Sequence, residues 1–172
     1  MTSEVVITDV LQDGTNTVAV LVMKGFDGSY LEDQDKFRMS GIFRDVYILK
    51  RPEQAISDYH IKTKIEDMIA KVELDMKFYF PVNVKISIED RNGAVVAVGS
   101  IAEEGAAVLE IASPELWNTE NPYLYKLILE TENEVIVDHI ALRKIEIKDQ
   151  VLYLNGQKIK LRGVNRHDSD PV

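Results

Sequence analysis

Ala70-Lys71-Val72-Glu73-Leu74-Asp75-Met76-Lys77-Phe78-Tyr79-Phe80 decides the fold class. Ala70, Val72, Leu74, Met76, Phe78 and Phe80 fall on one side of an extended chain. Lys71, Glu73, Asp75 and Lys77 fall on the other. Residues two apart share a face of a strand, so this run predicts a half-buried strand with a dry side and a wet side. The next segment repeats the pattern. Val82, Val84, Ile86 and Ile88 point one way, with Asn83, Lys85 and Ser87 opposite. Asn92-Gly93 follows, and Asn-Gly accepts positive φ at both central positions of a type I′ turn, which predicts a hairpin into Ala94–Val98. Tyr123, Tyr125, Leu127 and Leu129 alternate again. The polar break Thr131–Glu134 then leads to Val135–Ile140. A last hairpin is signalled by Val151–Leu154, Asn155-Gly156 and Gln157–Leu161.

Helical spacing is scarce. Ile65–Ala70 could hold one helical turn, but the strand pattern overruns it. Residues 113–122 carry Pro114 and Pro122 and read as a loop. The expected class is an all-β sandwich. Gly41–Leu49 is expected to add a strand. Three pieces are expected: 1–50, 51–148 and 149–172. The first holds too few strands to stand alone, and the last stops in mid-loop, so both ends read as cut.

The 172 residues are 45% hydrophobic and 28% charged, a globular composition with room for a real core. Twenty Lys plus Arg against 29 Asp plus Glu give a net charge of -9, which disfavours nucleic-acid and anionic-membrane partners. The absence of Cys excludes disulfides, thiolate metal sites and cysteine nucleophiles. No signal pattern opens the chain, and no apolar run nears the roughly 20 residues of a membrane span. A soluble cytoplasmic protein is expected.

Two polar clusters stand out. Asp27-Gly-Ser-Tyr-Leu-Glu-Asp-Gln-Asp35 holds four carboxylates that could bind a hard cation or sugar hydroxyls, or could be a solvated turn. An EF-hand is excluded, because Leu31 occupies its fifth position. Gly163-Val-Asn-Arg-His-Asp-Ser-Asp-Pro171 follows a strand end, where ligand-binding loops often lie. The acceptors around His167 favour its charged form, though a loop His is often only solvated. His60 and His139 sit on strands, with His60 expected to face solvent. The three His have no zinc spacing. Trp117 reads as a loop anchor or a sugar platform. No phosphate loop and no Ser–His–Asp pattern is present.

Four strings in order carry a resemblance: Asp27–Asp35, Phe37-Arg-Met-Ser-Gly-Ile-Phe-Arg-Asp-Val46, Leu116-Trp-Asn-Thr-Glu-Asn-Pro-Tyr-Leu-Tyr125, and Leu154-Asn-Gly through Arg162-Gly-Val-Asn-Arg-His167. Together they resemble glycoside hydrolase family 2, in its large bacterial β-galactosidase branch. The resemblance implies that 1–50 end a sugar-binding jelly roll and that 51–148 form an immunoglobulin-like sandwich. It implies that 149–172 are the entry hairpin and first strand of a catalytic α/β barrel. It implies retaining hydrolysis of β-galactosides by two glutamates that lie beyond Val172, so no catalytic residue falls in this chain. Asp35 resembles a ligand for a sugar hydroxyl and for the sodium bound in relatives, and His167 a hydrogen-bond partner of the sugar. Asn165 belongs to the same substrate-binding motif, and Asn165 and Arg44 look like support for those contacts. The resemblance gives the chain no cofactor of its own. It implies Mg2+ and Na+ for the parent, a β-galactoside as partner and a homo-oligomeric parent. Phe37 where Trp is frequent, Ser169 and Asp170 after His167, and Ala141-Leu142-Arg143 for Gly-Phe-Arg depart from the family pattern. A free-standing carbohydrate-binding sandwich is the competing reading, and a pure spacer role is a third one for 51–148.

Overall fold

The computed structural model describes residues 4–28, 31, 41–42, 44–102 and 105–165. The chain divides into two compact units, Leu49–Arg162 and Met1–Ile48 with Gly163–Val172. Among the described residues of the larger unit ten strands follow one another: β1 (Ile56–Glu66), β2 (Ile69–Phe78), β3 (Val84–Glu89), β4 (Val95–Ile101), β5 (Gly105–Ala112), β6 (Tyr125–Glu130), β7 (Val135–Ile140), β8 (Ile145–Lys148), β9 (Val151–Leu154) and β10 (Gln157–Lys158). Sheets β1-β2-β5 and β4-β3-β6-β7 form an immunoglobulin-like sandwich, and β10-β9-β8 form a third, smaller sheet. All pairings are antiparallel.

The alternation in the sequence becomes the alternation in burial. Ala70, Val72, Leu74 and Met76 of β2 are buried, and they face Val84, Ile86 and Ile88 of β3 and Leu127 and Leu129 of β6 in one core. Each fully buried Leu or Ile contributes about 1.5–3 kcal/mol relative to exposure. The outer face of β1-β2 is laced with charge. Lys64 Nζ lies 2.6 Å from Glu73, Lys71 3.0 Å from Glu66 and Lys62 3.4 Å from Asp75. Such exposed pairs are screened by water and salt and add little, so this face serves solubility more than stability.

Turns account for most departures from expectation. The β1–β2 turn is Asp67-Met68, with φ of 43° and 68° and Glu66 opposite Ile69. It is a two-residue primed turn without Gly or Asn, so the segment around it shows no turn signal. The β8–β9 turn, Asp149-Gln150 with φ of 50° and 64°, is built the same way. Asn155-Gly156, with φ of 51° and 78°, forms the expected two-residue turn. Asn92-Gly93 does not. Only Gly93 has positive φ, at 84°. The Asp90 carboxylate accepts the N–H groups of Asn92 and Ala94, each at 2.8 Å, and Gly93 N–H donates to Asp90 O at 3.1 Å. The result is a type I turn closed by a left-handed Gly, the three-residue hairpin solution.

Strand β2 stops at Phe78, before Tyr79 and Phe80, which are exposed ahead of Pro81 and its missing N–H. The last hairpin is shorter than predicted, because β10 ends at Lys158. Strand β5 carries no signal as clean as β2, since Gly105-Ala106-Ala107 offers little side chain to alternate. The strand expected over Gly41–Leu49 is absent from residues 44–50. Val46, Tyr47, Ile48 and Leu49 are all exposed there, and an extended segment without a paired neighbour makes no ladder. In the smaller unit, residues 4–28 hold one 3-10 turn, Thr8–Val10, and no strand. Asn16 closes a loop there by accepting Gln12 N–H and donating to Gln12 O.

Candidate functional site

Of the predicted site residues, Asp35 and His167 lie outside the described residues. Asn165 is described and exposed. Its segment, Gly163–Val172, falls in the same compact unit as Met1–Ile48. Of the first polar cluster, Asp27 and Gly28 enter a turn in which Leu31 N–H donates to Gly28 O at 3.0 Å. Among the described residues, no three His, Asp or Glu side chains gather where they could hold a metal ion. His60 and His139 are both exposed on their strands.

A connected set of polar contacts surrounds Trp117. This half-buried residue sits in the loop between β5 and β6, and its N–H donates to Leu142 O at 2.8 Å. Leu142 is fully buried. The carbonyl of Trp117 accepts from Asn155 Nδ2 at 2.9 Å. The Oδ1 of Asn155 accepts from Lys144 N–H at 2.9 Å, and Asn155 N–H donates to Lys144 O at 2.8 Å. The Arg143 guanidinium covers one face of the indole, 4.9 Å from the ring centroid, a cation–π contact. Trp117 is thus a loop anchor whose ring face is occupied by a cation. Sequence reasoning assigned Asn155 to its turn and to the Leu154–His167 string, and met Arg143 only as the shared residue of Ala141-Leu142-Arg143 and the family's Gly-Phe-Arg, with no contact foreseen for either. Neither residue carries a local signal of the other, because the contact joins segments far apart in the chain.

The same loop is tied down at its other end. Asn118 Oδ1 accepts the N–H groups of Glu120 and Asn121. The Tyr125 hydroxyl, on a buried side chain, accepts Glu115 N–H at 2.8 Å. Burial pushes the Tyr125 phenol above its ordinary value, against the opposing pull of that backbone bond. The Tyr123 hydroxyl accepts Arg91 N–H at 3.1 Å, and Arg91 stacks over the Tyr123 ring at 4.5 Å.

Two grooves open on this unit. One of about 500 Å³ is lined by Gln54, Asn83, Lys85, Glu130, Thr131 and Glu132 among others. A smaller one, of about 290 Å³, lies by Asp90, Arg91, Lys126 and His139. Its charges are already committed: Asp90 to its turn, Arg91 to Tyr123, and Lys126 to Glu89 at 2.8 Å. Among the described residues, no buried side-chain polar atom lacks a partner.

The profile described as glycosyl hydrolases family 2, sugar binding domain, matches residues 1–52, and that described as glycosyl hydrolases family 2 matches residues 54–143. A β-galactosidase of Actinobacillus pleuropneumoniae is 47% identical over 99% of this chain, which corresponds to 17% of that protein. A β-galactosidase of Staphylococcus xylosus is 42% identical over 98% of this chain, again 17% of its own length. The chain thus spans about a sixth of the curated relatives it matches. Among solved structures, the β-glucuronidase of Ruminococcus gnavus in complex with uronic isofagomine superposes with a TM-score of 0.59 at 23% identity, over 65% of this chain and 19% of that one, which supports the fold alone. With one profile covering more than half of its residues on a sandwich of the matching kind, the chain belongs to glycosyl hydrolase family 2.

Proposed function

We propose that this chain is the stretch of a retaining β-galactosidase that joins a sugar-binding jelly roll to a catalytic barrel. In this reading residues 1–50 end the jelly roll, 51–148 are the sandwich, and 149–172 are the entry hairpin and first barrel strand. The observation that supports it most is the 47% identity to a β-galactosidase across nearly the whole chain. Retaining hydrolysis needs two carboxyl groups about 5–5.5 Å apart, one as nucleophile and one as acid/base. Neither belongs to this chain, which supplies substrate contacts and scaffold for a terminal, lactose-type β-D-galactoside. Asp35 accepts hydrogen bonds from a sugar hydroxyl and, as an anion, draws a sodium ion. His167 hydrogen-bonds the sugar, and Asn165 supports it. The full enzyme works in the cytoplasm as a homo-oligomer with Mg2+ and Na+.

The test is Asp35→Ala and His167→Ala in the full-length enzyme. Each is expected to lower kcat/KM by about tenfold or more on a chromogenic galactoside. Unchanged kinetics in either variant removes that residue from the site. The isolated chain is expected to give no turnover, because contacts without the nucleophile provide no preorganised transition-state site. Stoichiometric turnover that survives repurification overturns this. For 51–148 a spacer role is supported by the smaller groove, whose Asp90, Arg91 and Lys126 are already engaged within the sandwich. Substituting Lys71 should then leave full-length activity unchanged.

A further inference from the structure

The two outer faces of the sandwich differ. On β1 and β2 every outward position from Asp58 to Glu66 and from Lys71 to Lys77 is charged or His, and the charges pair within the sheet. The outer face of β4-β3-β6-β7 is organised in rows instead. Its ladders set Val98, Ser87, Ile128 and Val137 side by side across the four strands. Val98 is 73% exposed and Val137 54%, and Ile128 between them is half-buried. An apolar row thus crosses this open face at mid-strand, where the alternation of a solvated sheet puts polar side chains.

Charge flanks that row in a fixed pattern. Two residues along the strands on one side, Lys85 lies opposite Glu130. Two residues along on the other side, Glu89 lies opposite Lys126. On the two central strands the signs therefore run plus, minus above the row and minus, plus below it. A two-fold rotation about the row lays each side of the face on the other side of a second copy. Lys85 then meets Glu89 of the second copy, Glu130 meets its Lys126, and Val98, Ile128 and Val137 each meet themselves. A two-fold along the strands also opposes the charges, but it sets Ser87 on Ile128 and breaks the apolar contact. Facing sheets pack about 10 Å apart with strands within about 30° of each other, so rows opposed in this way stay matched at the centre.

We propose that this face binds the same face of a second copy of the chain, about a two-fold axis along the Val98–Val137 row. The occupant is a second copy because the face is its own complement. An isologous contact requires a patch to match itself, and both the apolar row and the flanking charges do so. Four strands about 4.8 Å apart and three rows about 6.8 Å apart cover roughly 400 Å² per copy, about half of one side of a standard interface, so the contact is weak. The inference uses β3, β4, β6 and β7 alone and does not depend on the activity proposed above.

Sedimentation equilibrium of the chain at low salt tests it. Monomer is expected at about 1 µM and a shift to dimer by about 100 µM, reversed by 1 M NaCl. Val137→Lys should hold the chain monomeric throughout that range. Leu21→Lys, in the exposed apolar stretch of the smaller unit, should leave the dimer intact. Lys85→Glu and Glu89→Lys should each abolish the dimer alone, because each sets like charges face to face on both sides of the axis. Mixed in equal amounts, the two variants should dimerise again, since every facing pair between them is then opposite in sign. That recovery also shows that both variants are folded. A chain that stays monomeric at about 100 µM overturns the proposal. So does a dimer that survives Val137→Lys or is lost in Leu21→Lys, and so does a mixture that fails to recover.

Discussion

Removing the Glu134 carboxylate should loosen the start of β1 more than removing the exposed Lys62–Asp75 pair. Glu134 sits in the turn between β6 and β7 with 14% of its side chain exposed. Its Oε1 accepts the N–H of Ile56, the first residue of β1, at 2.7 Å, and its Oε2 lies 2.9 Å from Arg51 Nη2. The same Nη2 donates to Ile56 O at 2.6 Å. Both backbone groups of a residue that is 1% exposed are thus satisfied by side chains at the open edge of the sandwich. In Glu134→Ala the Ile56 N–H loses its partner, which costs about 1–3 kcal/mol, and a charge-assisted pair is lost. Arg51 is 27% exposed and can turn to water, which discounts the second loss. The sum is about 2–4 kcal/mol, and for a unit of this size that lowers Tm by about 10 °C. Glu134→Gln keeps an acceptor for Ile56 and should lose about half as much. The assay is thermal unfolding followed by far-UV circular dichroism at low salt and in 1 M NaCl, with Lys62→Ala beside it. The exposed Lys62–Asp75 pair should contribute within about 0.5 kcal/mol, and that little should vanish in salt. A Glu134→Ala shift no larger than that of Lys62→Ala would refute the latch.

Leu127→Ala opens a cavity beneath β3 at a fully buried site and should cost about 2–5 kcal/mol, read as a lower urea midpoint with unchanged slope. Gly93→Ala meets no neighbouring atom but must hold φ of 84°, so it should cost about 1–2 kcal/mol from backbone strain alone, measured by the same melts. The Tyr59 hydroxyl donates to Asp138 Oδ2 at 2.9 Å, and burial first, then this bond and the Asp138 charge, raise its pKa above the ordinary 10.0. The unfolded chain therefore releases this proton before the folded one does. The stability from the bond is complete below pH 10 and is lost as pH rises through the folded value. Tyr59→Phe should be less stable than the parent by about 1 kcal/mol at pH 8, and the gap should shrink above pH 10.

The alternating runs were legible because their chemistry is local. Val72, Leu74, Leu127 and Leu129 each declare a face two residues at a time, and all four are fully buried. The turns were less legible, because what selects them lies partly outside the dipeptide. The two Asn-Gly pairs make the point. Before Gly93, Asp90 presents a carboxylate that captures the amides of Asn92 and Ala94, and the hairpin takes an extra residue. Before Gly156 no such acceptor competes, and Asn155 is free to take positive φ. Asp67-Met68 and Asp149-Gln150 show the opposite case, where strand register forces a primed turn on residues that do not favour it.

The proposed site rests only on motif order, and physical chemistry explains why. A sugar contact such as the one proposed for His167 has meaning only beside partners contributed by distant segments, so nothing local separates it from a solvated loop His. Asn155 shows the same limit from the other side. Its sequence context announces a turn, and it makes that turn. Yet the amide that completes the turn is also the bridge to Trp117, and only folding brings the carbonyl of that loop within 2.9 Å. A residue that satisfies a local rule and a long-range contact at once is hidden by its own local consistency. Local agreement accounts for the residue type and leaves no unexplained polarity to prompt the search. Asn155→Gly separates the two roles, since glycine serves the turn as well as asparagine and serves the bridge not at all.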